Sequence, residues 1–116
     1  MPKLIALISK KPEISEEEFQ LYYEEKHVPL IRSLFPMLGD YKRTYLSSDR
    51  LLYGEFSLDP NNAASSCDVI TELFFENDEE LKLFMELAER DDMVEVVRND
   101  ESNFLDSNKT IMYRVE

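Results

Sequence analysis

The feature that most limits the fold of this chain is the order in which its hydrophobic periodicity changes. A strand-like run, a helical run and a second strand come first, and after an interrupted stretch the same three kinds of segment follow again. Residues 3–10 are rich in Leu and Ile and stop at Lys11-Pro12, which reads as a strand buried on both faces. Ser15 with Glu18 three residues on is a capping box, each side chain satisfying a backbone donor at a helix start. Glu16, Glu17 and Glu18 also suit the positive end of the helix dipole. Phe19, Tyr23, His27, Leu30 and Leu34 then share one helical face. Pro29 disfavours helical geometry at Val28, so a kink or break is expected there, with a second short turn of helix through Phe35.

Residues 40–46 alternate, with Tyr41, Arg43 and Tyr45 on one side and Lys42, Thr44 and Leu46 on the other. Residues 47–66 are repeatedly interrupted by Asp49, Gly54, Pro60 and Asn61-Asn62, which predicts a long loop with a short strand or hairpin near 52–58. Residues 68–75 give the clearest strand, with Val69, Thr71, Leu73 and Phe75 facing one way. Asn77 with Glu80 repeats the capping spacing, and Leu81, Phe84, Met85 and Ala88 form the apolar stripe that follows. Asp91-Asp92 restart a shorter helix carrying Met93, Val96 and Val97. Residues 99–109 are polar apart from Phe104-Leu105, and 110–115 form the last strand.

This order, in 116 residues, predicts a single α+β domain spanning 1–116. It is the ferredoxin-like βαββαβ pattern: a four-stranded antiparallel sheet with both helical layers on one face. The other sheet face is left uncovered, and an exposed apolar sheet invites aggregation unless a partner covers it. A two-fold homodimer with the sheets face to face, closing a barrel around an interior cavity, is the expected solution.

Charge and single residues then exclude several functions. The formal net charge is −12, with no basic cluster beyond Lys10-Lys11, so nucleic acid and anionic membrane surfaces are not expected partners. No apolar run approaches the ~20 residues of a membrane span, and the apolar start is too short for a secretory signal. The lone Cys67 has no second cysteine to pair with, in keeping with a reducing, cytoplasmic setting, and no basic neighbour in sequence activates it. One His and one Cys do not make a transition-metal site, and no Gly-rich phosphate loop occurs, so neither metal nor cofactor is expected. His27 is the only histidine, and histidine is the side chain whose ordinary pKa lies nearest neutrality. It is the candidate general acid–base; its plain structural alternative is a core histidine bonded to a carbonyl beside Pro29.

Three segments carry a family resemblance: the opening strand with Lys11-Pro12 and Ser15-Glu16-Glu17-Glu18-Phe19; Tyr23-x-x-x-His27-x-Pro29-Leu30; and residues 68–72 with the later Asp100-Glu101-x-x-Phe104-x-Asp106. Together they resemble the EthD-domain proteins of the dimeric α+β barrel superfamily over nearly the whole length. Tyr23 stands where tryptophan is common, a mild departure, and the absence of any tryptophan argues against the haem-degrading branch.

The resemblance implies a homodimeric barrel whose cavity takes a small apolar or aromatic, polyketide-type compound. It also implies a cofactor-free lyase, dehydratase or cyclase. A non-catalytic ligand-binding dimer and a cofactor-free monooxygenase are the alternatives. By the matching motif, Asp100 or Glu101 is the orienting partner of His27, which would raise the imidazole pKa, and Phe104 anchors that segment. Tyr23, Tyr41, Arg43, Tyr45 and Glu72 are the expected substrate-binding residues, with Arg43 opposite Glu72 so that neither charge is buried alone.

Overall fold

Leu4, Ala6 and Ile8 alternate with Lys3, Ile5 and Leu7 along β1 (Lys3–Ile8), and only the first set is fully buried. The sequence predicts a strand covered on both faces; the structure covers one. This computed structural model describes residues 1–47, 50, 52 and 67–115. The expected loop and hairpin within 47–66 lie almost wholly outside the described residues. Three further strands, β2 (Tyr41–Tyr45), β3 (Val69–Phe74) and β4 (Ile111–Val115), complete a sheet in the order β2-β3-β1-β4. Every neighbouring pair is antiparallel, with Ala6 opposite both Thr71 and Met112. Each crossover carries the chain past one strand, so a third strand slots in antiparallel between the two it joins. The fold is α+β and ferredoxin-like.

Gly39 sets the entry to β2. Its N–H donates to the Phe74 carbonyl at 2.9 Å, and a Cβ built there would lie 2.8 Å from that same oxygen. Gly39→Ala is therefore expected to destabilise the domain by about 1–3 kcal/mol, as overpacking does. The denaturation midpoint should fall with an unchanged slope; an unchanged midpoint would show that this backbone approach has slack.

On the covered face, α1 (Glu16–Tyr22) begins with both halves of the Ser15–Glu18 capping box in place. It runs without a break through a π-helical turn, Tyr23–His27, into α2 (Val28–Leu34). The expected break at Pro29 is absent. Proline lacks an N–H and crowds the carbonyl four residues back. The wider π turn accommodates it, because Val28 N–H reaches the Tyr23 carbonyl five residues back instead. After β3, α3 (Asp78–Ala88) is capped by Asn77, whose side chain accepts from Glu80 N–H. The next helix, α4 (Asp91–Glu101), is as long as α3 rather than shorter, and takes in the polar residues 99–101. Its outer face is solvated, while Met93 and Val97 pack on the core.

The centre of the domain is aromatic. Phe104 is fully buried, with ring centroids 5.3 Å from Tyr22 and Tyr23, 5.7 Å from Phe19 and 4.8 Å from His27. Main-chain bonds from Lys11 N–H to the Phe104 carbonyl (3.0 Å) and from Asp106 N–H to the Ser9 carbonyl (2.8 Å) pin this segment to the end of β1. The opposite sheet face carries Ile5, Leu7, Ile70 and Phe74 with Ile111 and Tyr113, the last two 47% and 56% exposed. Among the described residues no helix is long and apolar enough to cross a membrane.

Candidate active site

His27 ends the π turn and is 5% exposed. Its Nδ1 lies 2.6 Å from Asp100 Oδ2, on the last turn of α4. The other oxygen, Oδ1, accepts from the Tyr22 hydroxyl at 2.7 Å, and Asn103 Nδ2 donates to that hydroxyl at 3.1 Å. Asp100 is thus held from two sides and holds the imidazole in turn. A carboxylate only accepts, so it selects the tautomer with hydrogen on Nδ1 and leaves the lone pair on Nε2. Nε2 has no protein partner among the described residues, yet no fully buried side-chain nitrogen or oxygen lacks one. Nε2 therefore opens onto free space.

That space is a cleft of about 330 Å³ between the sheet and the helices of one chain. It lies on the helix-facing side, not against the bare sheet face where the sequence reading places the barrel cavity. His27, Glu89, Arg98, Glu101 and four hydroxyl residues line it among apolar side chains from β1, α2, α3 and α4. The Tyr41 hydroxyl donates to the Tyr23 hydroxyl at 3.0 Å, and the Tyr23 and Thr71 hydroxyls are 2.6 Å apart. Burial pushes the Tyr23 phenol above its ordinary value and the Tyr41 phenol well above it, so both stay protonated.

The imidazole pKa moves the opposite way from the expected rise. Burial pushes His27 below its ordinary 6.5, and the hydrogen bond and charge of Asp100 only partly offset this. Desolvation wins because the ring is packed between Tyr23 and Phe104. His27 is neutral at neutral pH, the form that accepts a proton. Burial also pushes the Glu101 carboxyl up, the nearby Arg98 opposing this and Asp100 adding to it. Among the described residues no three His, Cys, Asp or Glu side chains gather into a metal-binding group.

The model of the EthD domain family matches residues 11–108. The chain belongs to the EthD domain family. No curated protein gives a sequence match. Among solved structures, an ethyl tert-butyl ether d (EthD) family protein of Bacillus halodurans C-125 is similar at 24% identity and TM-score 0.62, over 100% of this chain and 97% of that one. An Arabidopsis thaliana protein, At3g17210, aligns at 16% identity and TM-score 0.62 over 100% and 94% of the two chains. A dimeric protein of unknown function with a ferredoxin-like fold, from Bacteroides fragilis NCTC 9343, aligns at 11% identity and TM-score 0.54 over 99% and 94%. At these identities the neighbours speak to the fold.

Within this EthD domain the residues singled out in the sequence separate into three places. His27, Asp100, Tyr23 and Tyr41 come together at the cleft. Arg43 and Tyr45 share the helix-facing side of β2 but form another cluster. Glu24 binds Arg43 through both oxygens, at 2.6 and 2.8 Å, and accepts from the Tyr45 hydroxyl at 2.6 Å. The Arg43 hydrogen bonds hold the Glu24 carboxyl below its usual range. The expected Arg43–Glu72 pair does not form. The register sets Arg43 against Thr71 and Lys42 against Glu72, so Glu72 lies on the bare face, 3.0 Å from Lys3. Just before β3, the Asp68 carboxylate accepts from Lys10 N–H at 2.7 Å.

Sequence reasoning missed Tyr22, Glu24 and Thr71. Thr71 left a signal, as the one polar residue on a strand face otherwise made of Val69, Leu73 and Phe75. Tyr22 and Glu24 left none, because their partners are distant in sequence.

Proposed function

We propose that this EthD domain is a cofactor-independent acid–base enzyme of the lyase, dehydratase or cyclase kind. Its substrate is a small apolar or aromatic, polyketide-type compound held in the cleft. One observation carries the reading: a neutral imidazole, oriented by Asp100 through Nδ1, presents Nε2 to an apolar cleft. Such a group removes a proton from carbon next to a carbonyl. In a dehydration, Glu101 in the same cleft would return a proton to the leaving hydroxyl, a task suited to a carboxyl that burial keeps more protonated than usual.

Solvent-deuterium exchange into a panel of enolisable aromatic ketones, followed by NMR, tests this. Wild-type protein should exchange faster than buffer. Asp100→Asn should slow exchange at least about tenfold, because an amide can donate to Nδ1 and move the hydrogen onto Nε2. Equal rates in the variant would remove Asp100 and the oriented base together.

The chain acts, on this proposal, as a homodimer paired through the bare face bearing Ile111 and Tyr113; the Bacteroides neighbour is dimeric. Light scattering should give twice the chain mass at micromolar concentration, and a stable monomer would refute the pairing.

A further inference from the structure

The hydroxyl chain at the cleft wall contains three hydroxyl hydrogens and two hydrogen bonds, Tyr41 to Tyr23 and Tyr23 with Thr71. One hydrogen is therefore uncommitted. A phenol is a stronger donor and a weaker acceptor than an aliphatic alcohol, so Tyr23 gives its hydrogen to Thr71. The uncommitted hydrogen is then the one on Thr71 Oγ1. Among the described residues no other acceptor takes it. All three donors run one way, and each bond polarises the next, which strengthens the terminal O–H as a donor. Thr71 is only 2% exposed and lines the cleft together with His27. The Tyr23 ring, whose hydroxyl meets Thr71, packs edge-on against His27 with centroids 5.3 Å apart.

We propose that Thr71 is the oxygen-binding subsite of this cleft, donating to the carbonyl oxygen of a neutral ketone whose α-carbon faces His27 Nε2. This rests on the base role of His27 proposed above and narrows its substrate class to enolisable ketones on an apolar skeleton. When Nε2 takes the α-proton, the C–H electron pair becomes the C=C bond and the carbonyl π pair moves onto oxygen. The proton stays on the imidazole, and no oxidant or reductant is required. The growing negative charge on oxygen meets a donor already in place, which stabilises the enolate more than the ketone.

The probes are 2-tetralone, which has acidic protons beside its carbonyl, and tetralin, the same skeleton without oxygen. Both are titrated into wild type, Thr71→Val, Thr71→Ser and His27→Gln, with deuterium exchange at C1 of the ketone measured in parallel. Wild type should prefer the ketone by about two- to tenfold, the range one net hydrogen bond gives. Thr71→Val should lose that preference and Thr71→Ser retain it; the valine variant should melt lower, because the buried Tyr23 hydroxyl loses its acceptor, so binding is compared below its melting temperature. His27→Gln should lose exchange and keep the ketone preference. A wild type indifferent to the oxygen, or a Thr71→Val protein that still prefers the ketone, overturns the proposal. Ketone preference that depends on Thr71 without any catalysed exchange would sustain the subsite and defeat the enzyme reading.

Discussion

Replacing His27 with glutamine is expected to lower turnover by about 10²–10⁴-fold, the contribution of a positioned acid–base group, while the protein still folds. A glutamine amide can donate to Asp100 as Nδ1–H does, so the carboxylate keeps its partner and the Tyr22 bond can persist. What is lost is the basic nitrogen at the cleft. The same substitution should alter the response to acid. Burial holds the His27 pKa below its unfolded value, so between the two values the unfolded chain binds the extra proton. The stability this represents is fully present above about 6.5 and is lost as pH falls through the depressed folded pKa. Thermal melts between pH 8 and pH 5 should therefore show a decline in wild type that is shallower in His27→Gln. If the variant unfolds while activity per folded molecule is unchanged, His27 is a core residue and the base lies elsewhere.

Phe104→Ala should be the most damaging single core substitution, at about 3–5 kcal/mol, in a domain whose whole stability is of order 5–15 kcal/mol. The ring is fully buried and is shared by Phe19, Tyr22, Tyr23 and His27, so its loss leaves a cavity that no single neighbour can fill. Denaturant titration measures the loss. The effect reaches the site too, because the same ring backs the imidazole and stacks on the tyrosine that holds Asp100. Phe104→Leu, which keeps more of the volume, should remain folded and show weakened catalysis. A Phe104→Ala protein within 1 kcal/mol of wild type, against that ~3–5 kcal/mol, would mean the aromatic cluster repacks freely.

The strands and helix starts were legible because local rules govern them. Alternation placed Val69, Thr71 and Leu73 on one face, and the Ser15–Glu18 and Asn77–Glu80 spacings marked both N-termini. The ion pairs were not legible. Arg43 finds Glu24 on a helix rather than Glu72 on a strand, because a one-residue difference in register turns a side chain to the opposite sheet face. The choice between Asp100 and Glu101 was equally hidden. Neighbours on a helix point about 100° apart, and only the placement of α4 turns Asp100 to the imidazole and Glu101 to the cleft. The direction of the His27 shift depended on how tightly aromatic rings enclose it, a property no spacing encodes.

The π turn has one more consequence. From Phe19 to Ile31 an uninterrupted α-helix would drift about 120° around its axis, too far for both ends to face the sheet. The wide turn takes up part of that drift, and Phe19, Tyr23, His27 and Ile31 are all buried, with Ile31 in the place a regular helix would give to Leu30. The extra residue in that turn acts as a spacer. The identities of Glu25 and Lys26, both exposed, matter little to it, but their number does. Losing one residue there would restore a regular α-helix with Ile31 still toward the sheet, but Pro29 would then crowd the carbonyl four residues back, so the number of residues in the turn is what lets a proline sit in mid-helix.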